Sequence, residues 1–266
     1  MGIVRGFPEK YENEICEIYQ NTNHSLKDIA EKFSCSTYIV RKILQANRIP
    51  IVVKTKINGD LKLDYFENID SEVKAYLLGF IFADGNVFNN QLALEIGVRD
   101  KENLILLKSE LKSKAKISYR KRPNTEVVTT RINSERLCNS LAKYGIVPNK
   151  TMNTHHLPNN IPKEYLRHFL RGVFDGDGWI SIKFDKYYCM GYVCCYASMA
   201  EDFRTMANSL IEDKNDVKIT NKGGEHSYVI QFQRTVQVKQ LAAALYKDSN
   251  YYLSRKYEKA EKIFSS

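Results

Sequence analysis

Two carboxylates stand at the same place in a pattern that the sequence contains twice. The stretches 77–85 (LLGFIFADG) and 170–178 (LRGVFDGDG) both predict a helix with a Gly in its middle and an Asp-Gly pair at its end. A Gly inside a helix costs about 1 kcal/mol relative to Ala, so we expect another backbone to pass close to the middle of each helix. An Asp at the carboxyl end of a helix faces the negative end of the helix dipole. Its presence in both copies, as Asp84 and Asp177, indicates a site that needs both carboxylates.

The ends and sides of these helices carry further expectations. The residues after the two Asp, Gly85 and Gly178, suit the left-handed turn that ends many helices. Arg167 and Arg171 are expected on the polar side of the second helix. Without a functional role, the two stretches would be amphipathic helices with solvated Asp residues, and this reading stays the alternative.

The two stretches resemble the LAGLIDADG motifs of homing endonucleases. The second copy matches the motif at positions one, three, six, eight and nine. The first copy matches at positions one, three, seven, eight and nine, with Phe82 where the family often has Asp. The resemblance implies that the two helices pack against each other at the centre of the molecule. It also implies that Asp84 and Asp177 lie together and hold divalent metal over DNA, with Gly85 and Gly178 in the same metal site.

The resemblance implies that this pair of carboxylates supports metal-dependent hydrolysis of a phosphodiester. Two carboxylates held close together repel each other without metal, which raises one pKa and favours the capture of a cation. Hard cations such as Mg²⁺ take carboxylate oxygens and keep several waters. We therefore expect Mg²⁺ as the cofactor, with Mn²⁺ as a substitute. Divalent ions can activate water and stabilise the leaving oxygen when a DNA strand is cut.

Two lysines are candidates for basic catalytic residues. The Pro-Asn-Lys-Thr element at 148–151 resembles a segment that precedes the second motif in many family members, and the resemblance implies that Lys150 polarises the attacked phosphate or the water. Lys256 follows the last repeat helix much as Lys150 follows the first half, and it is the weaker candidate. Either charge would offset negative charge in a transition state. A solvated loop lysine is the alternative for each.

The composition favours a polyanionic partner. The chain has 266 residues, 43 % of them hydrophobic, with a formal net charge of +9 and a pI of about 9.1. Nucleic acid is the commonest partner for such a balance, and we expect a monomer that binds double-stranded DNA, with RNA less favoured. No apolar run is long enough for a membrane span, and no signal-peptide pattern follows Met1. The expected location is inside a cell, in the cytoplasm, an organelle or a phage-infected cell, and the protein is not expected to be secreted.

Residues 1–50 predict a small all-α domain, followed by a polar and basic linker at 51–60. Ser25 and Asp28 have the spacing of a box at a helix N-terminus, and a later helix is expected from about Thr37 to Ala46. The layout resembles a helix-turn-helix, whose second helix enters the major groove. The alternative is a small helical bundle used for packing or protein contact. The residues that would reach DNA are Ser36, Thr37, Tyr38, Arg41 and Lys42.

The remaining chain predicts two similar halves, 61–157 and 158–266. In each, a motif helix is followed by strand, strand, helix, strand, strand and helix, which makes an internal repeat. The expected fold class is α+β, with a pseudo-twofold pair of αββαββα units forming a DNA-binding saddle beside the small all-α domain.

One face of the predicted strands is basic and polar. Side chains alternate between the two faces of a strand, and Arg or Lys on such a ribbon can read guanine in the major groove. For any single residue, an ordinary solvated position is the alternative. The candidate DNA-binding residues here are Lys116, Ser118, Arg120, Arg122, Arg131, Lys183, Lys218, Lys222 and Arg234.

These patterns together predict a homing endonuclease that cuts both DNA strands at a long, specific target. Because the two halves differ in sequence, the target should be asymmetric. One alternative on the same fold is a catalytically silent DNA-binding transcription regulator, although such regulators usually lose the motif acids that are present here. Another alternative is an RNA-splicing maturase. No splice-junction chemistry is visible at either end of the chain, so an intein is not expected.

Overall fold

The computed structural model describes residues 7–8, 10–21, 24–51, 61–123, 125–214, 217–224 and 226–266. The chain divides into two compact units, with the division after Leu61. No helix in the described ranges is long and apolar enough to cross a membrane.

Three short helices form the N-terminal unit. α1 spans Lys10–Asn21, α2 spans Leu26–Lys32 and α3 spans Thr37–Ala46. Their apolar sides enclose a small core, in which Ile15 and Ile43 are fully buried. The unit is therefore a helical domain with a core of its own.

Local hydrogen bonds fix where these helices begin. The Ser25 hydroxyl accepts from the Asp28 amide at 3.2 Å, and the Asp28 carboxylate accepts from the Ser25 amide at 3.0 Å, so the predicted box is confirmed. The predicted bounds of the later helix agree with α3. The predicted linker at 51–60 falls almost entirely on residues 52–60, which lie outside the described residues.

The larger unit contains the same order of elements twice. Each half has a motif helix, two strands, a helix, two strands, a helix and one further helix. The first half consists of α4 (Glu72–Asp84), β1 (Gly85–Phe88), β2 (Gln91–Gly97), α5 (Glu102–Glu110), β3 (Ile117–Arg122), β4 (Thr125–Asn133), α6 (Glu135–Ala142) and α7 (Lys150–Asn153). The second half consists of α8 (Leu166–Asp177), β5 (Gly178–Lys183), β6 (Tyr187–Cys194), α9 (Ala197–Ser209), β7 (Ile219–Asn221), β8 (Tyr228–Phe232), α10 (Thr235–Tyr246) and α11 (Ser254–Phe264).

Each half forms one antiparallel sheet of four strands. The strand orders are β1-β2-β4-β3 and β5-β6-β8-β7, so the two sheets have the same topology. Their registers also correspond, because Gly85 pairs with Leu94 in the first sheet and Gly178 pairs with Tyr192 in the second. The predicted α+β fold with a pseudo-twofold pair of αββαββα units is confirmed.

The motif helices α4 and α8 pack with their backbones in direct contact. A Cβ atom on Gly79 would lie 2.1 Å from the Phe169 carbonyl oxygen, and one on Gly172 would lie 2.1 Å from the Tyr76 carbonyl oxygen. No side chain fits at either place. The expectation that another backbone passes the middle of each helix is therefore confirmed.

The expected left-handed turn after each motif is wrong. Gly85 has φ −77° and ψ 147°, and Gly178 has φ −93° and ψ 168°, so both residues are extended. The chain passes straight from each helix into a strand. These positions exclude a side chain for lack of space, because a Cβ on Gly85 would lie 2.4 Å from the Ile81 carbonyl oxygen and one on Gly178 would lie 2.5 Å from that of Phe174.

Candidate active site

The carboxyl ends of α4 and α8 meet, and each ends in one of the two motif carboxylates. A Cβ atom on Gly176 would lie 2.2 Å from the Ala83 Cβ atom and 3.2 Å from Asp84 Oδ2. The residue before each motif Asp therefore touches the other helix. This contact brings Asp84 and Asp177 to the same end of the helix pair, as the sequence predicts.

The surroundings of both carboxyl groups favour their neutral forms. Burial raises the pKa of Asp84 to about 6, the negative charge of Asp177 adds to this shift, and Lys150 and Lys256 oppose it. Burial also raises the pKa of Asp177, again against the charges of the two lysines. A cation placed between these oxygens would relieve both the desolvation and the repulsion. The pair is thus electrostatically suited to bind a cation.

Each lysine closes the carboxyl end of one motif helix. Lys150 Nζ donates to the carbonyl oxygens of Ala83 at 2.9 Å, of Gly85 at 3.1 Å and of Phe82. The carbonyls of Phe82 and Ala83 lie in the last turn of α4, where such groups have no partner within the helix. The ammonium group supplies one hydrogen to each of them and one to Gly85, the first residue of β1.

Lys256 makes the same arrangement at the second helix. Its Nζ donates to the carbonyl oxygens of Phe174 at 2.5 Å, Asp175 at 2.7 Å and Gly178 at 2.6 Å. In both halves, the three hydrogens of the ammonium group point at backbone oxygens. The lysines therefore place positive charge beside the carboxylates, while their predicted role on phosphate or water stays a prediction.

Burial shifts the two ammonium groups towards their neutral forms. It lowers the pKa of Lys150, against the attraction of Asp177 and Asp84. It lowers the pKa of Lys256 to about 8, with Asp175 opposing the shift and Arg255 adding to it. With a pKa of about 8, Lys256 keeps its charge at neutral pH.

α8 carries another carboxylate, Asp175, two residues before Asp177, and its hydrogen bonds support the end of this helix. Asp175 is fully buried. Its Oδ1 accepts from the Tyr246 hydroxyl at 2.6 Å, and its Oδ2 accepts from the Tyr76 hydroxyl at 2.9 Å and from the Leu253 amide at 2.8 Å. Leu253 lies directly before α11, the helix that carries Lys256. Asp175 thus joins both motif helices to the beginning of α11.

Arg171, expected on the polar side of its helix, contacts polar groups in the interior and not solvent. Its side chain is fully buried. It donates to the carbonyl oxygens of Tyr251 at 2.7 Å and Leu245 at 2.8 Å, and to the Glu72 carboxylate at 2.9 Å. Glu72 also accepts from the Asn250 amide at 3.0 Å. Arg171 therefore connects the two halves through the interior.

The donor set fits a magnesium-type ion. Among the described residues, no group of three or more His, Cys, Asp or Glu side chains is arranged to hold a metal. Mg²⁺ is commonly held by one or two carboxylates and completes its shell with water and substrate phosphates. Asp84 and Asp177 match that pattern. The carbonyl groups of Gly85 and Gly178 are bonded to lysines, and their part in a metal site stays a prediction.

The sequence of each half matches a family model. Residues 164–247 match the model described as a LAGLIDADG-like domain, and residues 73–146 match the WhiA LAGLIDADG-like domain. The chain belongs to the LAGLIDADG family. No curated protein matches the sequence.

Solved structures of similar fold include two groups of proteins. Full-length DUF199/WhiA from Thermatoga maritima has 14 % identity and a TM-score of 0.49, covering 76 % of this chain and 64 % of its own. I-DmoI in complex with DNA and Ca has 16 % identity and a TM-score of 0.48, covering 70 % and 96 %. Meganuclease I-SmaMI bound to uncleaveable DNA has 12 % identity and a TM-score of 0.48, covering 74 % and 89 %. These likenesses are too distant to transfer a function. The match to this protein spans about two thirds of the length of full-length WhiA.

The first sheet of this LAGLIDADG chain places several predicted DNA-binding residues on one face. Ser118 and Arg120 lie opposite Thr129 and Val127, so both point to the side that faces away from the helices. Arg131, two residues beyond Thr129, shares that face. The face thus holds Ser118, Arg120, Arg122 and Arg131, with exposed Lys116 just before β3; Arg122 is paired with Glu95.

The second sheet carries fewer charges. Lys183 ends β5, and Lys218 and Lys222 lie directly before and after β7, all three exposed. Arg234 lies away from the strands at the beginning of α10, where it pairs with Asp213 at 3.4 Å. The structure therefore does not bring Arg234 to the strand face.

The five predicted residues of the N-terminal unit are exposed at the beginning of α3. They are Ser36, Thr37, Tyr38, Arg41 and Lys42. Ser36 Oγ accepts from the Ile39 amide at 3.4 Å and so begins the helix. Lys42 Nζ lies 5.3 Å from the centre of the Tyr38 ring. Their contact with DNA stays a prediction.

Sequence reasoning missed the roles of Asp175 and Arg171. Asp175 occupies motif position six, which marked it as a residue of interest, but its partners Tyr246 and Leu253 lie far along the chain. Nothing local to Arg171 reveals that the ends of α4 and α10 will enclose it.

Proposed function

We propose that this protein is a metal-dependent DNA endonuclease that cuts both strands of a long, asymmetric site. The proposal rests on two partly buried carboxylates, Asp84 and Asp177, which lie at abutting helix ends with a lysine charge beside each helix end. A divalent ion held by such a pair can activate water and stabilise the leaving oxygen when a phosphodiester is hydrolysed. Membership of the LAGLIDADG family supports the same class of reaction.

In this mechanism the chain supplies position and charge. Asp84 and Asp177 would hold Mg²⁺ or Mn²⁺, which when bound lowers the pKa of a coordinated water and neutralises phosphate charge. The contacts of Gly79 and Gly172 fix the two carboxylates relative to each other. Lys150 and Lys256 keep positive charge next to the scissile phosphates, where negative charge develops.

The two sheet faces would lie in the major groove on either side of the cut. Their strands present polar and basic side chains, and a two-stranded ribbon fits this groove. Arg120 and Arg131 are the proposed guanine readers. The exposed beginning of α3 would add contacts outside the central site. Double-stranded DNA is the proposed partner of a monomer, with specificity divided between two unlike half-sites.

A DNA-binding regulator without cutting activity is the second candidate. It is favoured by the lysine hydrogens, all of which are directed at backbone oxygens, and by the match of residues 73–146 to the WhiA domain model. The presence of both motif carboxylates favours the endonuclease.

Cleavage of a plasmid library with a randomised target region distinguishes the two. We expect linear product with Mg²⁺ or Mn²⁺ and none with EDTA. Enrichment of a bound sequence with no cutting in either metal would identify the regulator. Absence of both binding and cutting would contradict both proposals.

A further inference from the structure

Equivalent rows of the two sheet faces differ sharply in polarity. In the first sheet, Glu95 pairs with Thr129, which pairs with Ser118. Because Leu94 and Tyr192 are the partners of Gly85 and Gly178, the next residues, Glu95 and Val193, are equivalent. In the second sheet, this row is Val193, Val229 and Thr220.

The row of Val193, Val229 and Thr220 forms an uncharged patch on the outward face of the second sheet. Val193 is 39 % exposed, whereas its neighbour Tyr192 is 1 % exposed and points into the core. Thr220 is exposed, and Val229, which lies between the two, is 7 % exposed. No charged residue lies on the outward positions of β6 and β8, both of which the structure describes in full. The first sheet has Glu95 and Arg131 on the corresponding strands.

This patch lies at the end of the second sheet that is closest to the carboxylates. Burial raises the pKa of the Cys195 thiol, the negative charge of Asp177 adds to this shift, and the charge of Lys150 opposes it. Cys195, two residues beyond Val193 along the chain, therefore lies near both of these side chains. The other end of β6 lies at the hairpin that joins β5 to β6, where Tyr187 pairs with Lys183. That end is away from Asp177, which directly precedes β5. In the complex with DNA proposed above, Val193 would therefore face the base pairs nearest the cut.

Lysines border the patch on the open edge of the sheet. Lys218, Thr220 and Lys222 alternate along the chain, and the Lys222 amide donates to the Ser227 carbonyl oxygen at 2.9 Å, which continues the strand pairing. The two ammonium groups therefore flank Thr220 on the same face. Flanking lysines suit phosphates and position a duplex, while the uncharged row between them contacts base edges.

We propose that Val193, with the exposed Thr220 in the same row, reads thymine methyl groups at the central base pairs of the half-site bound by the second half. In the major groove, thymine is marked by its C5-methyl group, which is recognised by apolar contact. A guanine or cytosine edge would leave its polar groups against valine without a partner. This inference rests on the proposed function and adds the composition of one half-site to it.

Selection from a randomised duplex library, using full-length Asp177→Asn protein, tests the proposal. Selection is repeated with the Arg131→Ala, Asp177→Asn double variant. The half of the DNA target whose base preference changes is the one bound by the first sheet. We expect T·A pairs to be enriched in the other half-site next to the centre. Enrichment of G·C pairs at those positions would overturn the inference, and enrichment of no sequence at all would overturn the proposed function itself.

Removal of the methyl group alone gives the sharper measurement. We expect deoxyuridine in place of each contacted thymidine to weaken binding about fourfold, the effect of one buried methyl group. Val193→Ala should remove the difference between thymidine and deoxyuridine. Glu95→Ala, at the equivalent place in the first sheet, should retain it, and thermal unfolding checks that both variants fold. A difference that persists in Val193→Ala, or equal binding of both duplexes by the Asp177→Asn protein, would overturn the assignment.

Discussion

The two motif helices end in the same residue, an Asp, but the buried residue two positions earlier differs between them. At motif position six, the first helix has Phe82, which is 3 % exposed and packs edge-on against Phe169 with 6.3 Å between ring centres. The second helix has Asp175, which accepts three hydrogen bonds. Both helices nevertheless end in an Asp, and both have their last carbonyls bonded to a lysine.

This difference shows that the repeat preserves the carboxylate and the lysine but not what supports them. Packing of aromatic rings supports the end of α4. A polar network supports the end of α8, and it reaches Tyr76 in the first half and Leu253 at the beginning of α11. The end of α8 is therefore held by hydrogen bonds to residues that are distant in sequence, whereas the end of α4 is held by aromatic packing.

Asp175→Leu should have the largest effect on stability. It leaves two tyrosine hydroxyls and a backbone amide without their acceptor, and the buried Lys256 loses a nearby negative charge. We expect the free energy of unfolding to fall by about 4 kcal/mol, measured by urea denaturation. The matched change in the first half, Phe82→Leu, should cost less than about 1.5 kcal/mol. Equal losses would show that the two supports do not differ in kind.

Gly172→Ala should destabilise the protein by about 3 kcal/mol, because the new methyl group meets the backbone of α4 and must separate the helices. Gly79→Ala should have a similar effect, since the contact is reciprocal. Gly97→Ala is the control, because a Cβ there would approach nothing closer than the Arg99 side chain at 3.8 Å. A Gly172 variant as stable as the control would contradict the close contact of the helices.

The sequence allowed the architecture and the carboxylate pair to be predicted, because both depend on local pattern. The repeated helix, the alternating strands and the two Asp-Gly endings are each visible within about ten residues of chain. Their family resemblance then placed Asp84 beside Asp177. The bounds of α3 and the box of Ser25 and Asp28 were predicted for the same reason, since Ser25 begins α2 and Ser36 begins α3 through contacts three residues away.

The interior of the site depended on distant residues and was not predicted. Arg171 has the helical spacing of a polar surface residue, but carbonyl oxygens from Leu245 and Tyr251 enclose it. The glycines after each motif looked like left-handed helix ends, but lack of space explains them instead. Lys150 and Lys256 were predicted from their place in the chain, without any sign that backbone oxygens would bind all their hydrogens.

Asp84→Asn should stabilise the metal-free protein at neutral pH. The pKa of Asp84 is raised from 3.8 to about 6, so the folded protein holds this proton more tightly than the unfolded chain. Ionisation as pH rises from about 4 to 6 therefore lowers the free energy of unfolding. In EDTA at pH 7.5 we expect the variant to be more stable by about 2 kcal/mol, and we expect no difference at pH 4. Wild-type stability that does not fall between these pH values, relative to the variant, would contradict the raised pKa that burial, with the added repulsion of Asp177, gives to Asp84.

Arg131→Ala should have the smallest of these effects. Arg131 and Gln231 occupy equivalent places opposite Ala93 and Gly191, so they compare the two DNA faces directly. We expect Arg131→Ala to weaken binding of the selected duplex by about 1.5 kcal/mol and to relax the preference for guanine at one position. Gln231→Ala should cost less than about 1 kcal/mol. Competition binding at fixed salt measures both, and a larger loss from Gln231→Ala would reverse the comparison.

Strand-resolved cleavage of the selected duplex tests the shared carboxylate site most directly. Wild-type protein, Asp84→Asn and Asp177→Asn would be compared with Mg²⁺, with each DNA strand labelled separately and binding measured in parallel. The account predicts that wild type cuts both strands, and that both variants bind the duplex but lose at least about a thousandfold in cutting. Retained cutting of both strands by either variant would show that the pair of motif carboxylates is not the catalytic site.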